Sequence, residues 1–466
     1  MRSDRRANRL SALALGVAAA AAASVASPGE ARAQYVSYGP FETYSPTLFR
    51  EGPGFKVLGD GLVLHPGLAT ELGYDSNVLM SRTAGDAGVL RLRAHIDVAT
   101  LSPQRLNIDG VENPDARPKL VFRFGAGVEY RQFFSRDFRV GTTQQFNASS
   151  DADLQIKPGD PLSLRIYNNF LVTNDARNLE IASSQTFAPR IYNRIGLLGT
   201  FRPRNGPLEI GLGESFRVDH YIQSDLSAGR ALSNDVNLYG SLRVLPETLV
   251  KLEVRSSYVS FYGLGAAVPA SVPLRIVAGV QSLLTSWLGA SLYLGYGNSL
   301  HYGLDAVQLV GGTDGARYNN FVGGLEARLL LSTKLRLSAG WARDFFDSIY
   351  ATYLRDDHLY LHYEQNLWRS LTVRSGLDVY LRQYGPLVPP QTLYYRAYKN
   401  GATSRSDVLV SFNAEATYRP LSWLETGISY SVLDDITDFG FVDGAGTRLD
   451  AAFVKHVLLF KVDLAY

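Results

Sequence analysis

From Leu62 onward, apolar and charged side chains alternate along the chain. Leu90, Leu92, Ala94, Ile96 and Val98 fall on one parity, and Arg91, Arg93, His95 and Asp97 on the other. Successive side chains of a strand point to opposite faces, so this pattern predicts a strand with one apolar and one charged side. It recurs to the last residue. Leu120, Phe122, Phe124, Ala126, Val128 and Tyr130 oppose Arg123, Glu129 and Arg131; Leu371, Val373, Leu377, Val379 and Leu381 oppose Arg374, Asp378 and Arg382. The alternation predicts about eighteen strands, over 62–74, 88–99, 119–133, 138–156, 162–172, 187–201, 208–222, 230–244, 249–262, 273–284, 288–298, 319–331, 335–346, 353–365, 371–383, 406–418, 424–434 and 452–466.

The connections alternate too. Those after every second strand are short turns, such as Thr285-Ser286-Trp287 and Leu245-Pro246-Glu247-Thr248. Many of the others are long, at 75–87, 173–186, 299–318, 384–405 and 435–451; the stretch 100–118 and the turn 134–137 break the rule. Between Arg275 and His301 no residue is charged, so 276–300 is long enough for a membrane helix. Its glycines and serines, and the period of two on each side of Trp287, read instead as two strands.

So many amphipathic strands exceed what a soluble sandwich covers. A bilayer accommodates them, because a closed barrel pairs every backbone group without leaving an edge. The expected fold is all-β: a transmembrane antiparallel up-and-down barrel at 62–466, with short periplasmic turns and longer extracellular loops. Trp287, Trp368 and Trp423 each stand where a short connection enters the next strand, the place of a periplasmic aromatic girdle. The final strand carries Phe460, Val462, Leu464 and Tyr466 on one parity, like the C-terminal insertion signal of such barrels. That strand would engage the barrel-assembly machinery.

Composition narrows the classes. The 466-residue chain has 46 Lys plus Arg against 44 Asp plus Glu, so no global field favours nucleic acid. It has no cysteine, which excludes disulfides, thiolate metal sites and a thiol nucleophile. Residues 1–33 read as a secretory signal peptide: Arg2, Arg5, Arg6 and Arg9 precede an apolar run, and Ala31-Arg32-Ala33 is a cleavage site. Residues 34–61, rich in Gly, Pro and aromatics, form an irregular periplasmic segment and a candidate plug. The expected location is the Gram-negative outer membrane, in contact with its lipid.

A barrel of this strand number leaves an aqueous channel. The charged parity is assigned to its lumen: Arg91, Arg93, Asp97, Arg123, Glu129, Arg165, Arg190, Arg194, Arg217, Lys251, Glu253, Arg255, Glu326, Arg328, Arg374, Asp378, Arg382 and Glu415. Signs are interleaved, which favours charge pairs over a single-sign selectivity ring. Inward tyrosines (Tyr167, Tyr192, Tyr293, Tyr360, Tyr380) beside arginines would suit a sugar chain by stacking and bidentate hydrogen bonding. His358 and His362 share a face with Glu364, but four residues along a strand span about 13 Å, too far for one metal. No catalytic elbow or metal spacing appears, so neither an enzyme nor a cofactor is expected.

At the end of the first strand, Glu71-Leu72-Gly73-Tyr74-Asp75-Ser76-Asn77-Val78-Leu79 resembles the first-hairpin motif of the outer-membrane porins called beta-barrel porin 2. The resemblance implies a place in capsule or exopolysaccharide export, with a periplasmic polysaccharide-export lipoprotein as partner. Asp75-Ser76-Asn77 would form the turn beyond the strand. A general diffusion porin and a non-conducting structural or adhesive barrel are the alternatives.

Overall fold

The computed structural model describes residues 54–57, 62–82, 85–100, 119–141, 144–158, 160–174, 189–222, 229–262, 268–304, 309–310, 312, 314–332, 334–368, 370–389 and 395–466. The signal peptide, most of 34–61 and the stretch 101–118 lie outside these residues.

The strands are β1 (Phe55–Val57), β2 (Leu62–Asp75), β3 (Ala87–Ala99), β4 (Leu120–Phe134), β5 (Gln144–Ile156), β6 (Leu162–Thr173), β7 (Arg190–Phe201), β8 (Leu208–Tyr221), β9 (Ala231–Leu245), β10 (Thr248–Phe261) and β11 (Leu274–Thr285). They continue as β12 (Leu288–Asn298), β13 (Asn319–Ser332), β14 (Leu335–Phe346), β15 (Leu354–Leu367), β16 (Leu371–Tyr384), β17 (Tyr395–Tyr398), β18 (Ser406–Leu421), β19 (Leu424–Thr437), β20 (Gly440–Asp443), β21 (Arg448–Asp450) and β22 (Phe453–Ala465). Eighteen of them, all but β1, β17, β20 and β21, pair antiparallel with their neighbours in chain order. The ring closes where β2 pairs β22, from Gly67 opposite Ala465 to Asp75 opposite Val457. A closed ring leaves no strand edge unpaired.

The uncharged run 276–300 is the hairpin β11–β12, Ile276 opposite Tyr296 and Val280 opposite Leu292. Among the described residues no helix is long and apolar enough to cross a membrane. The strand expected over 138–156 begins only at Gln144. Phe138–Gly141 forms a helical turn instead, with the amides of Val140 and Gly141 donating to the Asp137 carbonyl. Tertiary packing outweighs the alternation there, because Val140 is buried among Val78, Leu79, Ala87, Val89 and Phe133.

The short strand β1, within the segment read as irregular, pairs with β2 through Phe55 opposite Leu64. It therefore lies end to end with β22 on one edge of β2. The Phe55 and Tyr466 rings meet at 4.2 Å, and the Tyr466 amide donates to the Pro66 carbonyl. At the other end of this seam the first-hairpin motif does more than turn the chain. Asn77 accepts from the Ser81 amide and donates to the Ser81 and Val454 carbonyls, the Ser76 amide donates to the His456 carbonyl, and the His456 amide donates to the Ser76 Oγ. Asp75 also pairs with Lys455 at 2.8 Å.

The long connections pack into a pad. Tyr350, Ala351, Leu354, Tyr384, Leu387, Tyr398, Phe439, Phe441 and Ala451 form one buried apolar cluster beside the small sheet β17–β20–β21. Residues 350–353 and 385–388 hold each other by backbone hydrogen bonds, including Val388 to Tyr350 and Gly385 to Tyr353.

Candidate functional site

The two parities separate cleanly on the ring. Leu68, Leu72, Leu212, Leu252, Leu294 and Phe460 are each more than half exposed. The other parity carries the charges, and its contacts identify it as the concave face. Arg275 on β11 reaches Asp344 on β14 at 2.7 Å, over two intervening strands. Lys461 on β22 reaches Glu415 on β18 at 2.6 Å, over one. Strands are about 4.8 Å apart, so side chains this far round the ring converge only on its inner side.

Each candidate on this face has a charged or polar partner. Glu71 takes both Arg91 (3.4 Å) and Arg93, and Arg93 also faces Glu129 at 3.5 Å. Glu129 binds Arg131 and accepts from Asn147 at 2.9 Å. Arg123 stands between Asp97 (3.6 Å) and Asp151 (3.9 Å), and Arg165 holds Asp153 at 2.5 Å. Further round, Arg190 pairs with Asp219 at 2.8 Å, and Arg194 meets Ser215 at 3.1 Å and Asp235 at 3.9 Å. Lys251 and Arg255 share Glu253 at 2.7 and 2.8 Å, and Glu326 binds Arg328. Arg374 lies between Glu364 (3.2 Å) and Glu415 (3.7 Å), while Arg382 and Asp356 are buried together at 3.7 Å. The wall is a lattice of alternating charges.

Asp378 draws two histidines together. The Nε2 atoms of His358 and His362 both reach its Oδ1, at 2.8 and 3.1 Å. Backbone spacing sets the Cα separation, but the two rings lean toward one carboxylate. No group of three or more metal-ligating side chains gathers among the described residues.

The inward tyrosines lie flat. Tyr167, Tyr239, Tyr293 and Tyr360 stand directly opposite Gly196, Gly211, Gly324 and Gly340 on the next strand. A Cβ at any of these glycines would overlap the ring. Each ring therefore covers bare backbone, which rescues the strand glycine. Cations gather over some of them: Lys251 at 4.8 Å from the Tyr239 ring and Arg165 at 5.5 Å from Tyr167. Tyr380 instead stacks on His358 at 4.2 Å, and Tyr192 sits opposite Asp219.

At the long-loop end the β14–β15 connection leans across the mouth. Asp347 pairs with Arg217 on β8, six strands away round the ring, at 3.6 Å. Beside it His301 is buried near Asp347 and Arg317, and burial holds its imidazole below the ordinary pKa. Arg405 and Asp407, both buried, pair at 2.7 Å under the pad, with the Tyr384 ring 4.5 Å from the guanidinium. Asp450 is held below the usual carboxylate range by Lys399 and Arg82, although its slight burial works the other way.

Trp287, Trp368 and Trp423 are exposed in the turns β11–β12, β15–β16 and β18–β19, all at the short-turn end. Phe460, Val462, Leu464 and Tyr466 are exposed along the outward side of β22 and beyond its end. Glu71, Asp151, Asp153, Arg275 and Asp407 belong to the ionic lattice but stand outside the lumen positions selected from sequence. For Glu71 the signal was present, since it alternates with Leu68, Thr70 and Leu72.

No protein-family model matches the sequence, and no curated protein matches it significantly. Solved structures match as folds. OccK3 (OpdO) of Pseudomonas aeruginosa is 13% identical, over 86% of this chain and 96% of that one, with a TM-score of 0.41. OccK2 (OpdF) of the same organism, in complex with glucuronate, is 10% identical over 87% and 96%, with a TM-score of 0.44. A bacterial polysaccharide outer membrane secretin is 11% identical over 86% and 97%, with a TM-score of 0.34. At these identities and scores the matches leave family and substrate unassigned.

Proposed function

We propose that this chain is a channel-forming barrel of the Gram-negative outer membrane that passes a hydroxyl-rich, charged saccharide, in the export of a capsular or exopolysaccharide. The apolar outward face is suited to lipid, and the eighteen-strand ring is wide enough for water. The observation that carries the saccharide is the set of tyrosines lying flat over glycines among paired arginines and carboxylates. The half-buried rings of Tyr167, Tyr293 and Tyr360 offer stacking, and the ionic lattice offers hydrogen bonds of both senses without a net field that would trap one ion.

In this reading Trp287, Trp368 and Trp423 sit at the periplasmic interface, and the last strand with Phe460, Val462, Leu464 and Tyr466 is recognised by the assembly machinery. A periplasmic export lipoprotein would deliver the polymer to the short-turn end. The loop leaning over the mouth favours a second reading, a porin for small solutes, because a bulky polymer must displace it. Planar-bilayer recording separates the readings. Acidic oligosaccharide should block single-channel current for times that lengthen with chain length, and a deletion strain should stop secreting its polymer. A conducting barrel that ignores oligosaccharide and a strain that secretes normally would leave the porin; a folded barrel without conductance would remove both.

A further inference from the structure

The ionic lattice of the concave face is complete except at two arginines. On the strands of the ring, every other described lysine or arginine of that parity lies within 3.9 Å of a carboxylate. Arg243 and Arg336 do not. Both are exposed, and neither side chain makes an ion pair or a hydrogen bond among the described residues. Arg243 shares the parity of Ser241, which stands opposite Lys251, and Arg336 stands opposite Glu364. Glu364 turns to Arg374 instead, at 3.2 Å. Both arginines lie at the same end of the ring: Arg243 is two residues from the end of β9 at Leu245, and Arg336 is one residue from the start of β14 at Leu335, beside short turns.

Each has a second cation beside it. The Arg243 amide donates to the Pro207 carbonyl at 2.9 Å, which brings in the β7–β8 turn with its exposed Arg204. Arg204 holds left-handed backbone, φ 53°, a conformation that favours glycine, and yet carries a guanidinium. Exposed Lys334 precedes Arg336 by two residues in the β13–β14 turn. Neither Arg204 nor Lys334 has a carboxylate partner among the described residues. Glu247, exposed in the β9–β10 turn, is the carboxylate closest in sequence to Arg243, and no ion pair joins them. An open guanidinium presents a fork of N–H donors that fits a carboxylate, phosphate or sulfate group. Lipid outside the ring does not reach the concave parity, so these donors face whatever enters the bore.

We infer that the two pairs, Arg243 with Arg204 and Arg336 with Lys334, capture the anionic groups of an acidic saccharide as it enters from the short-turn end. The inference rests on the saccharide-channel reading proposed above, and it adds the sign of the polymer's charge and the direction of entry. β9 and β14 are five strands apart round the ring, about 24 Å along the wall. A single anionic group therefore meets one pair, whereas a polyanion engages both, and the second contact is made at the high local concentration set by the first. The loop end has no counterpart, because its inward cations Arg190, Arg217, Arg275, Arg382 and Lys455 are already matched by carboxylates.

Single-channel recording with one-sided addition tests this. The chain contains no cysteine, so Ser286→Cys in the β11–β12 turn, treated with a membrane-impermeant thiol reagent, marks the short-turn face. Oligogalacturonate added at that face should block at least about tenfold more often than the same concentration at the loop face, and raised salt should erase the difference. An uncharged maltooligosaccharide should show no such preference. Arg243→Gln combined with Arg336→Gln should lower the short-turn frequency about tenfold while the barrel keeps its heat-modifiable mobility. Arg243→Lys with Arg336→Lys should retain most of it. Equal frequencies from the two faces of the wild type would overturn the capture site. A preference that survives the double Gln variant, with loss only of binding to phosphatidylglycerol vesicles, would overturn it too and assign these arginines to lipid headgroups. No block from either face of a conducting barrel would overturn the saccharide reading itself.

Discussion

Asn77 holds Val454 across the seam of the barrel, its side-chain amide donating to the backbone carbonyl at 2.9 Å from 377 residues away in sequence. The same side chain satisfies both the amide and the carbonyl of Ser81, so one residue shapes the first loop and fastens the last strand. Replacing it by alanine strands buried backbone groups, at a cost of about 1–3 kcal/mol. Asn77→Ala should therefore lower the urea midpoint of the folded barrel. An unchanged midpoint would mean the seam is held by the β2–β22 ladder alone.

Two carboxylates, one beneath and one beside the loop pad, should respond differently to removal. Asp407→Ala leaves the buried Arg405 guanidinium without its carboxylate, a loss of about 3–5 kcal/mol. Protease sensitivity of 385–404 should rise sharply. Asp450→Asn breaks the contacts to Arg82 and Lys399, but Arg82 is exposed to water and the effect should stay under about 1 kcal/mol. Raising salt in the wild type should reproduce that second change and not the first.

His301 gives the mouth a pH dependence. Its folded-state pKa lies below the ordinary imidazole value of about 6.5, so the opened state binds more protons. The stabilisation is complete above that value and is lost as pH falls through and below it. Asp347 opposes the shift and Arg317 adds to it, but burial is the larger effect. Hydrogen exchange at 299–302 and 347–353 should accelerate between pH 7 and 5, and His301→Gln should flatten the response. Equal exchange across that range in the wild type would refute it.

Gly340→Val should lift Tyr360 off the wall. The added side chain overlaps the ring, so the tyrosine must stand into the lumen and leave Glu326, which its hydroxyl binds. Overpacking of this kind costs about 1–3 kcal/mol. Single-channel conductance should fall together with the unfolding midpoint. The double variant with Tyr360→Ala should restore conductance, since the obstructing ring is gone.

The barrel was legible because each strand has an apolar outward side and a charged inward side, which writes a period of two over its whole length. Strands such as β3 and β16 appear within two residues of their sequence limits. What escaped were relationships between strands. Arg275 with Asp344 depends on curvature, and His358 with His362 on how two side chains lean. Neither is a property of one strand. The loop pad escaped because its apolar residues come from three separate connections with no period among them. The helical turn at Phe138–Gly141 escaped because Val140 obeys its tertiary neighbours rather than the alternation. Glu214 breaks the pattern in the sequence itself, standing among Leu212, Phe216 and Val218 where every neighbour of its parity is apolar.

Four phenol rings pressed onto glycine have a geometric result. Bulky residues normally shrink a tube in proportion to their number, yet here the largest groups contribute surface while taking almost no bore. In a conducting ring, cross-section and stickiness would be set independently: the tyrosines would add contact area, and the glycines behind them would keep the bore open.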